Sequence, residues 1–401
     1  MKILQICHKP PFPAIDGGCI AINAITRGLI HAGHQVKVVS IVTKKHPLSI
    51  DRIPQDYIEG TTFETVFVNT KVNPLKALIS TFRNTSYHID RFISNDFKKK
   101  ITEILKKETF DIVQLESIFV APYIPTIRQL SNAKIVLRAH NVEHKIWGRF
   151  MLHHKNGLKK WMLKRLMNQL KNYEMSVFSQ IDAYMTISQL DFDFFHNEFP
   201  DIKGTVISMG INIEKYEIPE EAIYTKNPKL FHIGSMNWMP NIEGLEWFFD
   251  EVWNKILSSF PELVFTLAGR GLPENWKQKQ WTNVNIVGEV ENANDFILSQ
   301  DIMIVPLLSG SGVRIKILEG MALGKVIITT PIGAEGLDVE HGKNILIANT
   351  PQEFVDMIKM CVNAPEMCNI ISENARDYVI IHHNNALITD KIEAFYSELR
   401  N

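Results

Sequence analysis

The sequence predicts an α/β protein of two doubly wound domains, and three observations point there. Short β-rich runs alternate with helical patterns along the whole chain, and strand-helix-strand crossovers of that kind imply parallel strands. At 401 residues the chain exceeds what one hydrophobic core usually organises, so two domains of roughly 200 residues each are expected. A Pro-containing stretch without sustained periodicity, residues 206–228, separates two such series and marks the hinge. The expected division is 1–205, then this hinge, then 229–383, with a C-terminal helix over 384–401 packing back on the first domain.

The elements follow in order. Lys2 to Cys7 is a β-rich run, a Pro- and Gly-containing loop follows, and Cys19 to His31 has a helical pattern that Gly33 should stop before the next strand at Gln35 to Val42. Further strands are expected at Thr65 to Val68, Asp111 to Leu115, Ala133 to Arg138 and Asp182 to Ile187. The second series has strands at Leu230 to Ile233, Val264 to Ala268, Val284 to Val287, Ile302 to Val305, Val326 to Thr330 and Asn344 to Ile347. Helical patterns over Ile242 to Phe260 and Gln352 to Val362 lie between some of them, and Asn384 to Leu399 is one amphipathic helix.

Composition bounds the function. With 45% hydrophobic and 22% charged residues the chain should be a soluble globular protein, and no apolar run approaches the roughly 18 residues a bilayer span needs. The apolar N-terminal run is too short for a secretion signal. Four cysteines, Cys7, Cys19, Cys361 and Cys368, have no metal-ligand spacing and are few for a disulfide scaffold, so a cytoplasmic setting is expected. The formal net charge of −1 conceals an asymmetry: residues 1–200 hold 27 Lys and Arg against 17 Asp and Glu, and the remainder holds 16 against 27. The first half suits an anionic surface or polymer.

The segment richest in chemistry runs from Leu308 to Gly320, Leu-Ser-Gly-Ser-Gly-Val-Arg-Ile-Lys-Ile-Leu-Glu-Gly. It places a Gly- and Ser-rich loop, including Ser311 and Gly312, between a strand and a helix expected over Val313 to Leu323. Such a loop bares backbone N–H groups at a helix N-terminus, which suits a phosphate. Val313, Ile315, Ile317, Leu318, Met321 and Ala322 cover most of the helix, leaving Lys316 and Glu319 on one stripe. Arg314 falls in the expected first turn, where a cation faces the positive end of the helix dipole. Charges in so apolar a helix need partners: a diphosphate for Arg314 and Lys316 and a ribose for Glu319, or else a local Lys316–Glu319 pair on an exposed edge.

From these motifs the chain resembles the retaining glycosyltransferases of GT-B architecture, specifically the family-four group of nucleotide-sugar enzymes (glycosyltransferase group 1). The resemblance covers nearly the whole chain: Pro-Pro-Phe-Pro-Ala-Ile-Asp-Gly-Gly near the N-terminus, Arg-Ala-His-Asn-Val-Glu-His, His-Ile-Gly-Ser-Met-Asn-Trp-Met-Pro-Asn, Leu-Ala-Gly-Arg-Gly, Ile-Val-Gly-Glu-Val and Pro-Ile-Gly-Ala-Glu-Gly-Leu. It implies two Rossmann-like domains facing across a cleft, the first binding the acceptor and the second the nucleotide sugar. Gly17, Gly18, Gly234, Ser235, Gly269, Arg270, Glu289, Val290, Ser311, Gly312, Val313 and Glu319 would then bind the donor, and His140, Arg314 and Lys316 would be catalytic. Two departures stand out. Glu319 matches the second of the two glutamates the family often carries, while Ser311 occupies the place of the first. The family also often has an Arg and a Lys after the first strand of its second domain, where this chain has Ser235, Asn237 and Asn241; their work would pass to Arg314 and Lys316.

Four further features have two readings each. Gly17 and Gly18 precede the first expected helix and either admit a diphosphate or form an ordinary βα turn. His140 opens a loop at the carboxyl edge of the sheet, where α/β folds bind ligands; the resemblance puts it beside the donor sugar, and the plain alternative is a structural histidine. Residues 144–172 hold eight Lys and Arg and no Asp or Glu, interleaved with Trp147, Trp161 and other apolar side chains. That pattern fits a basic amphipathic helix on anionic lipid or a surface helix packed on its own domain. Asp191-Phe-Asp193 starts a helix and is expected to cap it rather than bind metal.

The function expected is retaining transfer of a sugar from a nucleotide diphosphate donor to a hydroxyl of a saccharide or lipid-linked acceptor, in cell-surface polysaccharide or glycolipid synthesis. Neither cofactor nor metal is expected, nor nucleic acid as partner, and the place expected is the cytoplasm, peripheral to the inner face of the membrane. The alternatives are a nucleotide-sugar epimerase of the same fold and a non-catalytic nucleotide-sugar-binding protein.

Overall fold

The computed structural model describes every residue except 14–16, 49–52, 83–84, 153–156, 219–223, 278, 280, 311 and 401. The chain forms two units, Met1–Met209 with Ile388–Asn401, and Gly210–Leu387. Residues 210–218 and 224–228, read above as part of a hinge, therefore go with the second unit.

The first unit is built on seven parallel strands: β1 (Lys2–Cys7), β2 (Gln35–Val42), β3 (Glu64–Phe67), β4 (Ile112–Glu116), β5 (Lys134–Ala139), β6 (Ala183–Thr186) and β7 (Lys203–Val206). Their order is β3-β2-β1-β4-β5-β6-β7. Both faces are covered, so the central strands are mostly apolar, with buried Gln5, Gln114, Glu116 and Arg138 as exceptions, and alternate side chains enter different cores. Leu4, Ile6, Leu115 and Leu137 pack on one face with Phe97 and Phe178. Ile3, Val38, Ile112 and Val136 pack on the other against Ile388, Ile392, Phe395 and Tyr396 of the C-terminal helix Asn385–Arg400. Strand β7 was not foreseen. It is a four-residue edge strand, Lys-Gly-Thr-Val, with no fully buried residue, so it lacks the apolar signature of its neighbours.

The second unit holds six parallel strands: β8 (Leu230–Ile233), β9 (Phe265–Ala268), β10 (Val284–Gly288), β11 (Ile302–Val305), β12 (Val326–Thr329) and β13 (Leu346–Ile347), in the order β10-β9-β8-β11-β12-β13. The helix expected over Ile242 to Phe260 is three pieces, Met239–Phe248, a π turn Phe249–Trp253, and Asn254–Leu257. A helix at Pro365–His382 was not foreseen. Several of its buried positions are Cys368, Ser372 and Ala375, which give weak apolar contrast. In each sheet the strand order reverses at one place, between β1 and β4 and between β8 and β11. The loops leaving the carboxyl ends there frame a crevice, the usual ligand site of such folds.

Among the described residues no helix is long and apolar enough to cross a membrane, and no group of three or more His, Cys, Asp or Glu could hold a metal ion. All four cysteines are buried, and Cys7, Cys361 and Cys368 are thiols outside any disulfide.

Candidate functional site

At the reversal point of the second unit, the backbone leaves β8 at Gly234, and Lys316 reaches over from the helix Ile315–Ala322. The Lys316 Nζ donates to Asn241 Oδ1 at 2.9 Å and lies 3.2 Å from His232 Nε2. His232 sits inside β8, and its Nδ1 donates to the Ile304 carbonyl at 2.8 Å, so Nε2 is left as an acceptor for the lysine. A Cβ added at Gly234 would stand 2.6 Å from that Nζ and 3.0 Å from Asn241 Nδ2; glycine keeps the floor open. Burial first, then the neighbouring Arg314, bring the Lys316 ammonium down to about 7, against the pull of Glu319. Burial and Lys316 likewise hold His232 well below its ordinary range, so the imidazole is neutral.

The helix begins later than expected. Arg314 is its N-cap, in extended backbone, and not a first-turn residue, because the chain arrives through Gly310 and Gly312, both at positive φ (119° and 80°). The buried Arg314 guanidinium lies 5.4 Å from the Trp238 ring centroid. A Cβ at Gly310 would meet the guanidinium at 3.0 Å and that indole at 3.1 Å. Two cations are thus presented side by side at a loop of left-handed glycines. Ser311 lies outside the described residues, and Val313 beside it is half-buried.

Glu319, one turn beyond Lys316, accepts a hydrogen bond from the Tyr216 hydroxyl at 3.0 Å. Burial raises its carboxyl above the ordinary range, although Tyr216 and Lys316 both oppose this. The bonds made by Lys316 and Glu319 therefore go to Asn241, His232 and Tyr216. Gly269, at the end of β9, has φ 142°, and a Cβ there would fall 1.7 Å from the Gly234 carbonyl oxygen; only glycine fits. Ser235 accepts at its carbonyl from Asn241 Nδ2 at 2.8 Å, and the Arg270 carbonyl accepts from the Met236 N–H at 2.9 Å. Gly234, Ser235, Gly269, Arg270, Arg314 and Lys316 are in this way tied to one corner of the unit. Glu289 is exposed and Val290 half-buried after edge strand β10, one strand further out.

In the first unit the reversal point is polar in its interior. Glu116 ends β4 fully buried, and its Oε2 accepts from His140 Nε2 at 2.6 Å and from Arg138 Nη1 at 3.2 Å. Burial disfavours the charge, yet Arg138 and His140 hold the carboxyl at about 2. His140 is lowered by burial, with its bond to Glu116 opposing. The His8 ring stands edge-on to His140 at 5.7 Å and its Nδ1 donates to the Glu116 carbonyl at 2.7 Å. Gly17 and Gly18 do not precede the first helix; they are its opening residues, Gly17–His31. His144 is structural: Glu174 takes the N–H groups of Glu143 and His144 at 2.9 and 3.2 Å and the His144 Nδ1 at 2.5 Å, closing the start of the helix Glu143–Leu152.

The described residues of 144–172 lie in two helices, Glu143–Leu152 and Gly157–Phe178. Their apolar side chains divide. Leu166 and Leu170 are buried and Trp147 packs on the His88 ring at 4.1 Å, whereas Trp161 is 50% exposed. Asp191 belongs to a cap: its N–H donates to Ser188 Oγ at 3.1 Å, and the Ser188 hydroxyl donates back to Asp191 Oδ2 at 2.9 Å.

Sequence reasoning missed His232, Trp238, Tyr216, Glu116 and His8 as members of these clusters. A signal existed for two of them. His232 interrupts Leu-Phe-His-Ile and Glu116 ends Ile-Val-Gln-Leu-Glu, and a polar group in a strand buried on both faces must be partnered.

Residues 227–364 match the family described as Glycosyl transferases group 1. Over 367 residues the chain is 24% identical to a Klebsiella pneumoniae protein described as an uncharacterized 44.6 kDa protein in the cps region, covering 89% of this chain and 90% of that one. Sucrose-phosphate synthase from Thermosynechococcus elongatus shares the fold, with a TM-score of 0.72 at 13% identity over 100% of this chain and 99% of that one. So does Anabaena HepE, solved in complex with UDP-glucose, with a TM-score of 0.65 at 15% identity over 99% and 100%. Residues 227–364 are thus similar to the group 1 glycosyl transferases, and the chain as a whole has the GT-B fold.

Proposed function

We propose that the protein transfers a sugar, with retention of configuration, from a nucleoside diphosphate donor to an acceptor hydroxyl in the assembly of a cell-surface polysaccharide or glycolipid, without help from a metal ion. The observation that carries this reading is the pair of cations, buried Arg314 and half-buried Lys316, at the carboxyl end of β8. Departure of the diphosphate is the difficult step, and fixed cations aimed at the charge developing on it lower the barrier by about 3 kcal/mol each. Glu319 accepts from the ribose hydroxyls, and Gly234 and Gly269 let the backbone approach the donor closely. From the first unit, which takes the acceptor, His140 serves the donor sugar. The cps-region relative and the UDP-glucose bound by HepE support the reading.

Lys316→Ala should cut turnover of the accepted nucleotide sugar by at least about 100-fold and abolish its binding, as read by thermal stabilisation across a panel of nucleotide sugars. Near-normal kinetics in that variant would overturn the assignment.

We also propose that the first unit rests on an anionic bilayer. Lys160, Lys164 and Lys171 are exposed on a helix whose first half lacks acidic residues. Next to it, tied by a 2.7 Å bond from Gln169 Nε2 to the Ser80 carbonyl, the helix Pro74–Thr81 and the following Phe82 turn apolar side chains outward, Leu75 at 65% and Phe82 at 73% exposure. Cationic groups beside unpartnered apolar ones are what anionic lipid binds. Sedimentation with phosphatidylglycerol vesicles should pull down the wild type and leave the double variant Lys160→Glu, Lys164→Glu in the supernatant; equal binding by both would sink this part.

A further inference from the structure

A continuous chain of buried hydrogen bonds runs from the C-terminal helix to His140. The Tyr396 hydroxyl donates to Gln114 Oε1, Gln114 Nε2 donates to Glu116 Oε1, and Glu116 Oε2 accepts from His140 Nε2 at 2.6 Å while Arg138 Nη1 stands 3.2 Å away. Tyr396, Gln114, Glu116 and Arg138 are all fully buried. Gln114 and Glu116 lie two residues apart on β4, so both side chains emerge on the same face of the sheet. Arg138 is paired across to Glu116 on neighbouring β5, two residues before His140.

We infer that Glu116 is a positioning residue for His140 and that Tyr396, acting through Gln114, holds Glu116 in place; the inference rests on the catalytic reading of His140 given above. The chemistry favours this over a merely structural ion pair. One Arg is enough to neutralise one carboxylate, yet the second oxygen is fixed as well, by an amide that is itself fixed by a tyrosine. Both oxygens of Glu116 therefore have set directions, and only one orientation of the His140 ring satisfies Oε2. Accepting at Oε2 places the His140 proton on Nε2, so Nδ1 carries the lone pair. A ring presented to a sugar in one tautomer is an acceptor of defined direction, and hydrogen bonds at both buried Glu116 oxygens keep it so. The network also gives the last helix a function beyond covering the sheet: through Gln114, its Tyr396 hydroxyl holds the same carboxylate that His140 uses.

The test compares His140→Ala, Glu116→Gln and Tyr396→Phe in the full-length protein, with steady-state kinetics on an accepted nucleotide sugar and ¹⁵N shifts of the His140 ring. Glu116→Gln and Tyr396→Phe should each lower kcat about tenfold, as loss of a histidine's orienting partner generally does. Donor KM should stay within about twofold because the diphosphate contacts are untouched. The His140 shifts should move from a pure Nε2–H pattern toward a tautomer mixture in both variants. Tyr396→Phe removes one hydroxyl and no volume, so it decides the matter if Glu116→Gln does not fold. Wild-type kcat and an unchanged tautomer in Tyr396→Phe would overturn the inference. If His140→Ala itself turns over normally, the catalytic reading of His140 fails, and the tautomer measurement still reports separately whether Glu116 fixes the ring.

Discussion

Lys316 sets burial against charge, and the balance can be read with pH. Burial and the Arg314 guanidinium beside it lower its ammonium from an ordinary 10.5 to about 7, while in the unfolded chain it titrates as an ordinary lysine. Between those values the unfolded state binds the extra proton, so this residue makes stability rise with pH across the window, by up to ~1.4 kcal/mol per pH unit. Below about 7 both states are protonated and the slope vanishes. A diphosphate favours the charged form, which reverses the burden: binding at pH 8 must draw a proton from solution. Calorimetric titration of the accepted donor's nucleoside diphosphate in two buffers of different protonation enthalpy should therefore report an uptake of up to about one proton at pH 8. Identical apparent enthalpies in the two buffers for the wild type would refute it. Neutral His232 is part of the same device, because it offers Lys316 an acceptor without the counter-charge that would hold the proton permanently.

Elements were legible where burial dictates composition. Strands β1, β4, β5, β8, β11 and β12 are predominantly apolar because helices cover both faces of a parallel sheet, and they fall within a residue or two of their expected places. Edge strand β7 and the helix Pro365–His382 carry no such contrast and were not seen. The site was legible in the same uneven way. Gly310, Gly312, Arg314, Lys316 and Glu319 lie within one strand-loop-helix passage, so composition alone suggested an anion site. Their partners were not legible, since they come from distant segments: Tyr216 is 103 residues from Glu319, and His232 is 84 from Lys316. Even within the passage, the helix start moved to Ile315. Left-handed glycines at 310 and 312 turn the backbone so that Arg314 caps the helix from outside, a geometry that spacing does not specify. The basic stretch 144–172 was seen as one amphipathic helix because its apolar residues recur at helical intervals. Some of that periodicity serves the unit's own core through Leu166 and Leu170, and Trp161 is left over for solvent.

At the scale of the whole molecule, the chain closes on itself: it leaves the first unit after Met209, builds the second, and returns at Ile388. The returning helix is not an appendage. Ile388, Ile392 and Phe395 are buried against Ile3, Val38, Ile112 and Val136 on one face of the first sheet. Three such side chains, at about 1.5–3 kcal/mol each, contribute roughly 5–9 kcal/mol, comparable with the whole stability of a typical domain at about 5–15 kcal/mol. Tyr396 adds its bond to Gln114 within the same layer. No part of this helix from Ile388 onward belongs to the second unit, whose core closes with Ile371, Ala375 and Val379 of the preceding helix. A chain truncated after Leu387 should therefore lose the first unit selectively. Hydrogen exchange would show amide protection vanishing from β1, β4 and β5 while β8, β9, β11 and β12 stay protected, and the nucleoside diphosphate of the accepted donor should still bind with an affinity close to that of the full chain. Protection of β1 and β4 surviving the truncation would mean that the sheet holds its core without the helix. In that case the burial of Ile388, Ile392 and Phe395 counts for far less than their area suggests.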